Sequence, residues 1–123
     1  MRVMLICVAL LSLCWSASAR AADFAIAVTW CGGGSPEISL RNVPKNTARL
    51  EAHMIDLMVP SYQHGGGKVE FKGENAIPCG ALNAGFRGPS PPPHQIHDYE
   101  LTVKAYGADG AVLGAARTVK KFP

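Results

Sequence analysis

Large and small side chains alternate from Phe24 to Trp30, so that Phe24, Ile26, Val28 and Trp30 share one side of an extended chain. That period of two predicts a half-buried strand. The run Cys31-Gly32-Gly33-Gly34-Ser35-Pro36 ends it, and a shorter alternation, Glu37-Ile38-Ser39-Leu40, follows before a turn over residues 42–46 that contains Pro44. Residues 49–57 (RLEAHMIDL) predict the next strand, with Leu50, Ala52, Met54 and Asp56 on one face and Glu51, His53, Ile55 and Leu57 on the other. An aspartate closing an otherwise apolar face marks either a strand emerging into solvent or the mouth of a pocket. Residues 59–67 are rich in turn formers, and residues 68–71 predict a short strand. Residues 73–93 form a long irregular stretch with repeated Gly and Pro, a feature that in a small domain points to function or disorder. The clearest strand is residues 98–106 (DYELTVKAY), where Tyr99, Leu101, Val103 and Ala105 alternate with polar neighbours. Asp109-Gly110 is a hairpin signal, and residues 111–119 predict the returning strand. The pattern predicts a mostly β domain of five to seven short strands with little or no helix.

The amino-terminal residues follow no such pattern. Behind Arg2, residues 3–13 form an uncharged apolar run, and Ala17-Ser18-Ala19 and Ala19-Arg20-Ala21 both fit a small-residue cleavage site. The run is too short to span a bilayer, which takes roughly 20 residues, and it suits a signal peptide cut after Ala19 or Ala21. Residues 1–19 are therefore read as a cleavable signal and residues 22–123 as a single domain in the periplasm or outside the cell, with no transmembrane segment once the signal is removed.

Export changes the reading of the cysteines. Cys7 and Cys14 leave with the signal, and Cys31 and Cys79 remain in an oxidising compartment. Compartment chemistry favours an intramolecular disulfide between them over two free thiols or a bond between two copies, and it would reinforce the thin core of so short a chain. Neither cysteine has a Cys or His at the spacing of a zinc finger. The formal charge of +3 is dispersed, and the absence of a Lys/Arg block argues against nucleic acid as a partner.

Candidate chemistry is sparse. His64-Gly65-Gly66-Gly67 has the look of an esterase oxyanion loop, but no G-x-S-x-G turn and no strand–helix alternation accompany it. His53, His64, His94 and His97 show no metal-binding spacing, so no metal or cofactor is expected. No nucleophile sits beside a base, and an enzyme is not expected.

One ordered set of motifs stands out: Ser35-Pro36-Glu37-Ile38, then Val43-Pro44 and Thr47, then Asp56 at the strand end with Pro60 beyond it, then Gly88-Pro89-Ser90-Pro91-Pro92, and finally His97-x-Tyr99. In this order the chain resembles the phosphatidylethanolamine-binding protein family, over roughly residues 35–106. The resemblance implies a shortened β-sandwich with a small anion pocket at one end. It also implies that Asp56, the loop of Gly88, Pro89, Ser90 and Pro91, and the His97 and Tyr99 side chains line the pocket, with His64 standing in for a further pocket histidine. Loop N–H groups, imidazole and phenol can together hold a phosphate or carboxylate oxygen. The implied partner is a small anionic ligand or a phospholipid head group. A protease is the second partner class, met by the apolar loop at residues 57–63. The chain departs from the family pattern at Leu57-Met58-Val59, which lacks the second aspartate, and at the three glycines after His64.

Overall fold

The computed structural model describes residues 22–123; the predicted signal peptide and its cleavage sites lie outside the described residues. Seven strands follow in order: β1 (Ala25–Thr29), β2 (Glu37–Arg41), β3 (Thr47–Asp56), β4 (Gly66–Glu70), β5 (Ala76–Ile77), β6 (His97–Gly107) and β7 (Val112–Phe122). They form two antiparallel sheets, one of order β1-β2-β5 and one of order β4-β3-β6-β7, and no helix occurs among the described residues.

The period of two sets the layers. In β6 the residues His97, Tyr99, Leu101, Val103 and Ala105 are buried, and in β3 Leu50, Ala52, Met54 and Asp56 are buried. Register places these residues opposite one another, Leu50 against Ala105, Ala52 against Val103, Met54 against Leu101 and Asp56 against Tyr99. Partners in register share a face, so both strands turn one continuous row inward. The smaller sheet answers with Val28, Ile38, Leu40 and Ile77, and the two rows form one core with Leu82 and Phe86. His53, on the opposite face of β3, is exposed.

Two features were not foreseen in the strand pattern. β5 lies inside the stretch read as irregular, and its two residues pair with Ser39 and Ile38. Strand β4 begins at Gly66, within the stretch read as turn. Gly66 pairs with His53 in register, and a side chain there would run into the Ala52 carbonyl. Gly65, at φ +72°, bridges to Phe86. These glycines let the 82–87 segment approach β3 and β4 at backbone distance, which explains them without any oxyanion chemistry.

That segment is held from a second side. Cys31 and Cys79 form a disulfide across 48 residues. A loop of this length removes about 4 kcal/mol of chain entropy from the unfolded state. Beside it, the fully buried Ser35 donates its N–H to Asn83 Oδ1 (2.7 Å), accepts from the Leu82 N–H through Oγ (3.0 Å) and accepts from the Gly80 N–H through its carbonyl (3.0 Å).

Candidate functional site

The carboxyl end of β3 and the start of β6 meet at one end of the sandwich, and four polar side chains are buried there. Asp56 is the last residue of β3. Its Oδ1 accepts from the N–H groups of Met58 (2.9 Å) and Val59 (3.3 Å), a short-range bond that stops the strand and starts the turn. Its Oδ2 lies 2.7 Å from His97 Nδ1. His97 is two residues from Tyr99, the register partner of Asp56, so the pair is a diagonal contact on one sheet face. A carboxylate can only accept, so His97 Nδ1 carries a proton. His97 Nε2 is 2.9 Å from Gln95 Oε1. The Gln95 amide can present either its oxygen or, turned over, its nitrogen, and so serves imidazolium and imidazole alike.

Tyr99 lies at the centre, with no measurable exposure. The His97 ring stacks over it at 6.4 Å between centroids, and the His64 ring meets it edge-on at 5.3 Å. Trp30 and Phe122 pack edge-on at 5.8 and 6.5 Å. His64 is buried, its Nδ1 donates to the Arg87 carbonyl at 2.8 Å, and Tyr62 covers it at 4.6 Å between centroids. With Nδ1 committed, only Nε2 of His64 remains for another partner.

The buried Tyr99 hydroxyl makes no hydrogen bond of good geometry, although the Asp56 carboxylate and the Ser90 backbone lie close enough to act on it as loose hydrogen-bond partners. The surroundings raise its pKa above the usual 10.0: burial acts most strongly, the Asp56 charge adds to it, and the nearby Ser90 backbone only partly opposes them. The phenol is therefore a neutral O–H donor at physiological pH. For Asp56, burial acts most strongly and favours the neutral acid, but the His97 hydrogen bond, the Met58 and Val59 N–H groups and the His97 charge together outweigh it. The carboxyl is held below its usual 3.8.

Asp56, His64, His97 and Tyr99 are thus brought together, with the Ser90 backbone beside the hydroxyl. The rest of the predicted loop is not an N–H cradle. Pro89 and Pro91 carry no N–H, and Gly88 packs against the Gly34 backbone, so only Ser90 is placed to donate near Tyr99. Three partners were not anticipated from the chain: the Arg87 carbonyl, Gln95 and Tyr62. Gln95 had a weak signal in its position two residues before His97; a backbone carbonyl leaves no trace in sequence.

Three clefts lie elsewhere among the described residues: one of about 900 Å³ runs between β7 and the β2–β3 turn, one of about 250 Å³ opens between β4 and β5, and one of about 280 Å³ lies on the outer face of β3 and β6. None of these three is lined by Asp56, His64, His97 or Tyr99, which are buried, with the Tyr62 ring against His64 and Gln95 on His97. Among the described residues, no three His, Cys, Asp or Glu side chains are arranged to hold a metal ion.

The fold is an antiparallel β-sandwich of the phosphatidylethanolamine-binding-protein type. The chain is similar to the solved structure of a phosphatidylethanolamine-binding protein homolog from Chlamydia trachomatis, at TM-score 0.59 and 15% identity over 82% of this chain and 97% of that one. No protein-family model matches the chain, and no curated protein matches it in sequence.

Proposed function

We propose that the chain is an exported, non-catalytic binding protein whose closed polar end takes one small oxyanion, a phosphate or carboxylate carried by a phospholipid head group or a phosphorylated small molecule. The observation that carries this reading is the buried Tyr99 hydroxyl, which makes no hydrogen bond of good geometry and lies among two imidazoles, the Asp56 carboxylate and the Ser90 backbone. A buried hydroxyl without a partner costs free energy, roughly 1–3 kcal/mol, which a ligand oxygen would recover. Tyr99 supplies one donor and the Ser90 N–H a second beside it; His64 Nε2 adds a third only in the doubly protonated ring, because Nδ1 already donates to the Arg87 carbonyl. Gln95 holds His97 Nε2 until a ligand oxygen replaces it. Asp56 does not meet the anion: both its oxygens are committed, one to His97 and one to the turn, and it acts by orienting the imidazole. The disulfide supports export.

Calorimetric titration of the mature domain with inorganic phosphate and with phosphoethanolamine tests the reading. Saturable binding that Tyr99→Phe weakens at least tenfold is expected; a folded domain that binds neither compound refutes it. The second reading, an interaction protein that inhibits a protease, rests on the exposed turn after β3. That turn is closed by the Tyr62 N–H donating to the Val59 carbonyl, and it does not offer the extended backbone that strand-pairing clefts recognise.

A further inference from the structure

The two sheets end in four edge strands of unequal length: β5 has two residues, β1 and β4 have five each, and β7 has eleven. A short edge offers little to a partner, and β4 is met at its start by the Gly66 N–H donating to the Gly85 carbonyl. Two hydrogen bonds show which groups of β7 face outward. The Asp98 carbonyl accepts from the Leu57 N–H beyond β3, so at the Asp98–Lys121 pair β6 bonds away from β7. The Trp30 indole donates to the Lys121 carbonyl at 2.7 Å from the outer side. Bonding directions alternate along an antiparallel strand, and the register is unbroken from Lys121 to Gly114. The N–H and C=O groups of Ala115, Arg117 and Val119 therefore face the free edge, and none of them takes a hydrogen-bond partner among the described residues. The cleft of about 900 Å³ follows this edge, with residues 113–117 on one side and Phe24 and Pro44 on the other, which leaves room for an added strand.

Charged side chains commonly guard an edge strand against pairing, and on the outer face of β7 their charge is cancelled within the chain. Arg117 is held by Glu100 at 2.6 Å and Lys121 by Asp98 at 2.9 Å. The strand also exposes Leu113 and Val119. Antiparallel pairing with a second copy satisfies the edge in one two-fold register. With Ala116 opposite its own copy, Ala115 faces Arg117 and Gly114 faces Thr118. Leu113, the extra residue where the β6–β7 register shifts, then comes beside Val119. An axis on Arg117 would set arginine against arginine. An axis on Thr118 would need the Lys121 edge that Trp30 occupies, and an axis on Ala115 would run Val119 past the start of the facing strand.

We propose that two copies of the chain pair antiparallel through β7 about a two-fold axis at Ala116, joining their four-stranded sheets into one continuous sheet. One strand against another is a smaller contact than a stable dimer needs, so the pairing is a reversible equilibrium and dilute protein is monomeric. The polar ends of the two copies lie at opposite ends of the pair, and the proposal is independent of what they bind. The test is sedimentation velocity of the mature, disulfide-bonded domain from micromolar to millimolar concentration, for wild type and for Ala115→Pro. Proline at this position removes an outward N–H that the fold does not use. Amide hydrogen exchange is followed by NMR at both ends of the range. The expected result is a monomer–dimer equilibrium in wild type, weakened roughly tenfold or more in Ala115→Pro. The amides of Ala115 and Arg117 should exchange more slowly at high concentration, whereas those of Ala116 and Thr118, which bond to β6, should be slow throughout. Wild type that stays monomeric at millimolar concentration overturns the proposal. Dimers that add no protection at Ala115 and Arg117, or that persist undiminished in Ala115→Pro, place the contact elsewhere and overturn it as well. If Ala115→Pro fails to fold, Val119→Lys, a change at an exposed side chain, takes its place with the same expected loss of dimer.

Discussion

Removing a single oxygen from the core should make this protein more stable. In Tyr99→Phe the ring keeps its contacts with Trp30, Phe122, His64 and His97. The hydroxyl that leaves makes no hydrogen bond of good geometry in the folded chain, with only loose contacts to Asp56 and the Ser90 backbone, and has a full set of water partners in the unfolded one. An unsatisfied buried polar group costs about 1–3 kcal/mol. The neighbouring Ser90 backbone recovers part of that, so the net gain is taken at the low end, about 1 kcal/mol. For a domain of this size that is a rise of about 4–8 °C in Tm. Urea unfolding followed by Trp30 fluorescence, with Trp30 in edge contact with Tyr99, reads it as a higher midpoint at unchanged slope. The same variant should bind phosphate at least tenfold more weakly, so stability and binding move in opposite directions. A variant destabilised by 1 kcal/mol or more would show that the hydroxyl is already satisfied, and the argument for an available donor would fail.

Other perturbations follow from the same geometry. Asp56→Ala strips His97 of its partner and frees two N–H groups, and should cost about 3–5 kcal/mol by urea unfolding; a loss below about 1 kcal/mol would mean that His97 finds another acceptor. Because the folded-state pKa of Asp56 lies below its ordinary 3.8, its contribution is fully present above that pH and is lost as pH falls through the lowered value. Stability measured below about pH 4 should therefore fall more steeply in wild type than in Asp56→Asn, and parallel curves would contradict this. Gly66→Ala drives a methyl group into the Ala52 carbonyl and should cost about 3 kcal/mol or the fold itself, read from the yield and melting of the purified domain. Replacing Cys31 and Cys79 together by Ser should cost up to about 4 kcal/mol in urea and weaken phosphate binding as well, because the bond anchors the segment that leads to Arg87 and Ser90.

The sequence carried the architecture unevenly, for physical reasons. Strands β3 and β6 announce themselves because each has one face in the core and one in solvent, which forces the alternation from Leu50 to Asp56 and from Tyr99 to Ala105. Strand β5 does not, since two residues are too few to show a period. The glycines after His64 suggested a turn, whereas Gly66 and Gly67 lie in a strand. Local composition records the small side chain but not the segment that needs the space. At the site, the spacing of His97 and Tyr99 and the position of Asp56 at a strand end were legible, because register converts them directly into contact. The proline loop misled in part: its glycine and prolines suggested a backbone cradle, but a proline-rich loop has few N–H groups to offer. What tertiary contact alone creates, the pairing of His64 with a distant carbonyl and of His97 with Gln95, was beyond reach.

The eleven-residue length of β6 has a practical consequence. The strand starts at His97 and runs to Gly107, where the tight turn of Asp109 and Gly110 sends the chain back. At about 3.3 Å per residue, that turn stands roughly 25 Å from Tyr99. A dye, an isotope label or a surface tether attached at the exposed Asp109 would leave the polar end untouched and facing outward. A chip-bound domain oriented in this way presents every copy with the same end toward the sample, so the proposed ligands can be tested against that end from one attachment point.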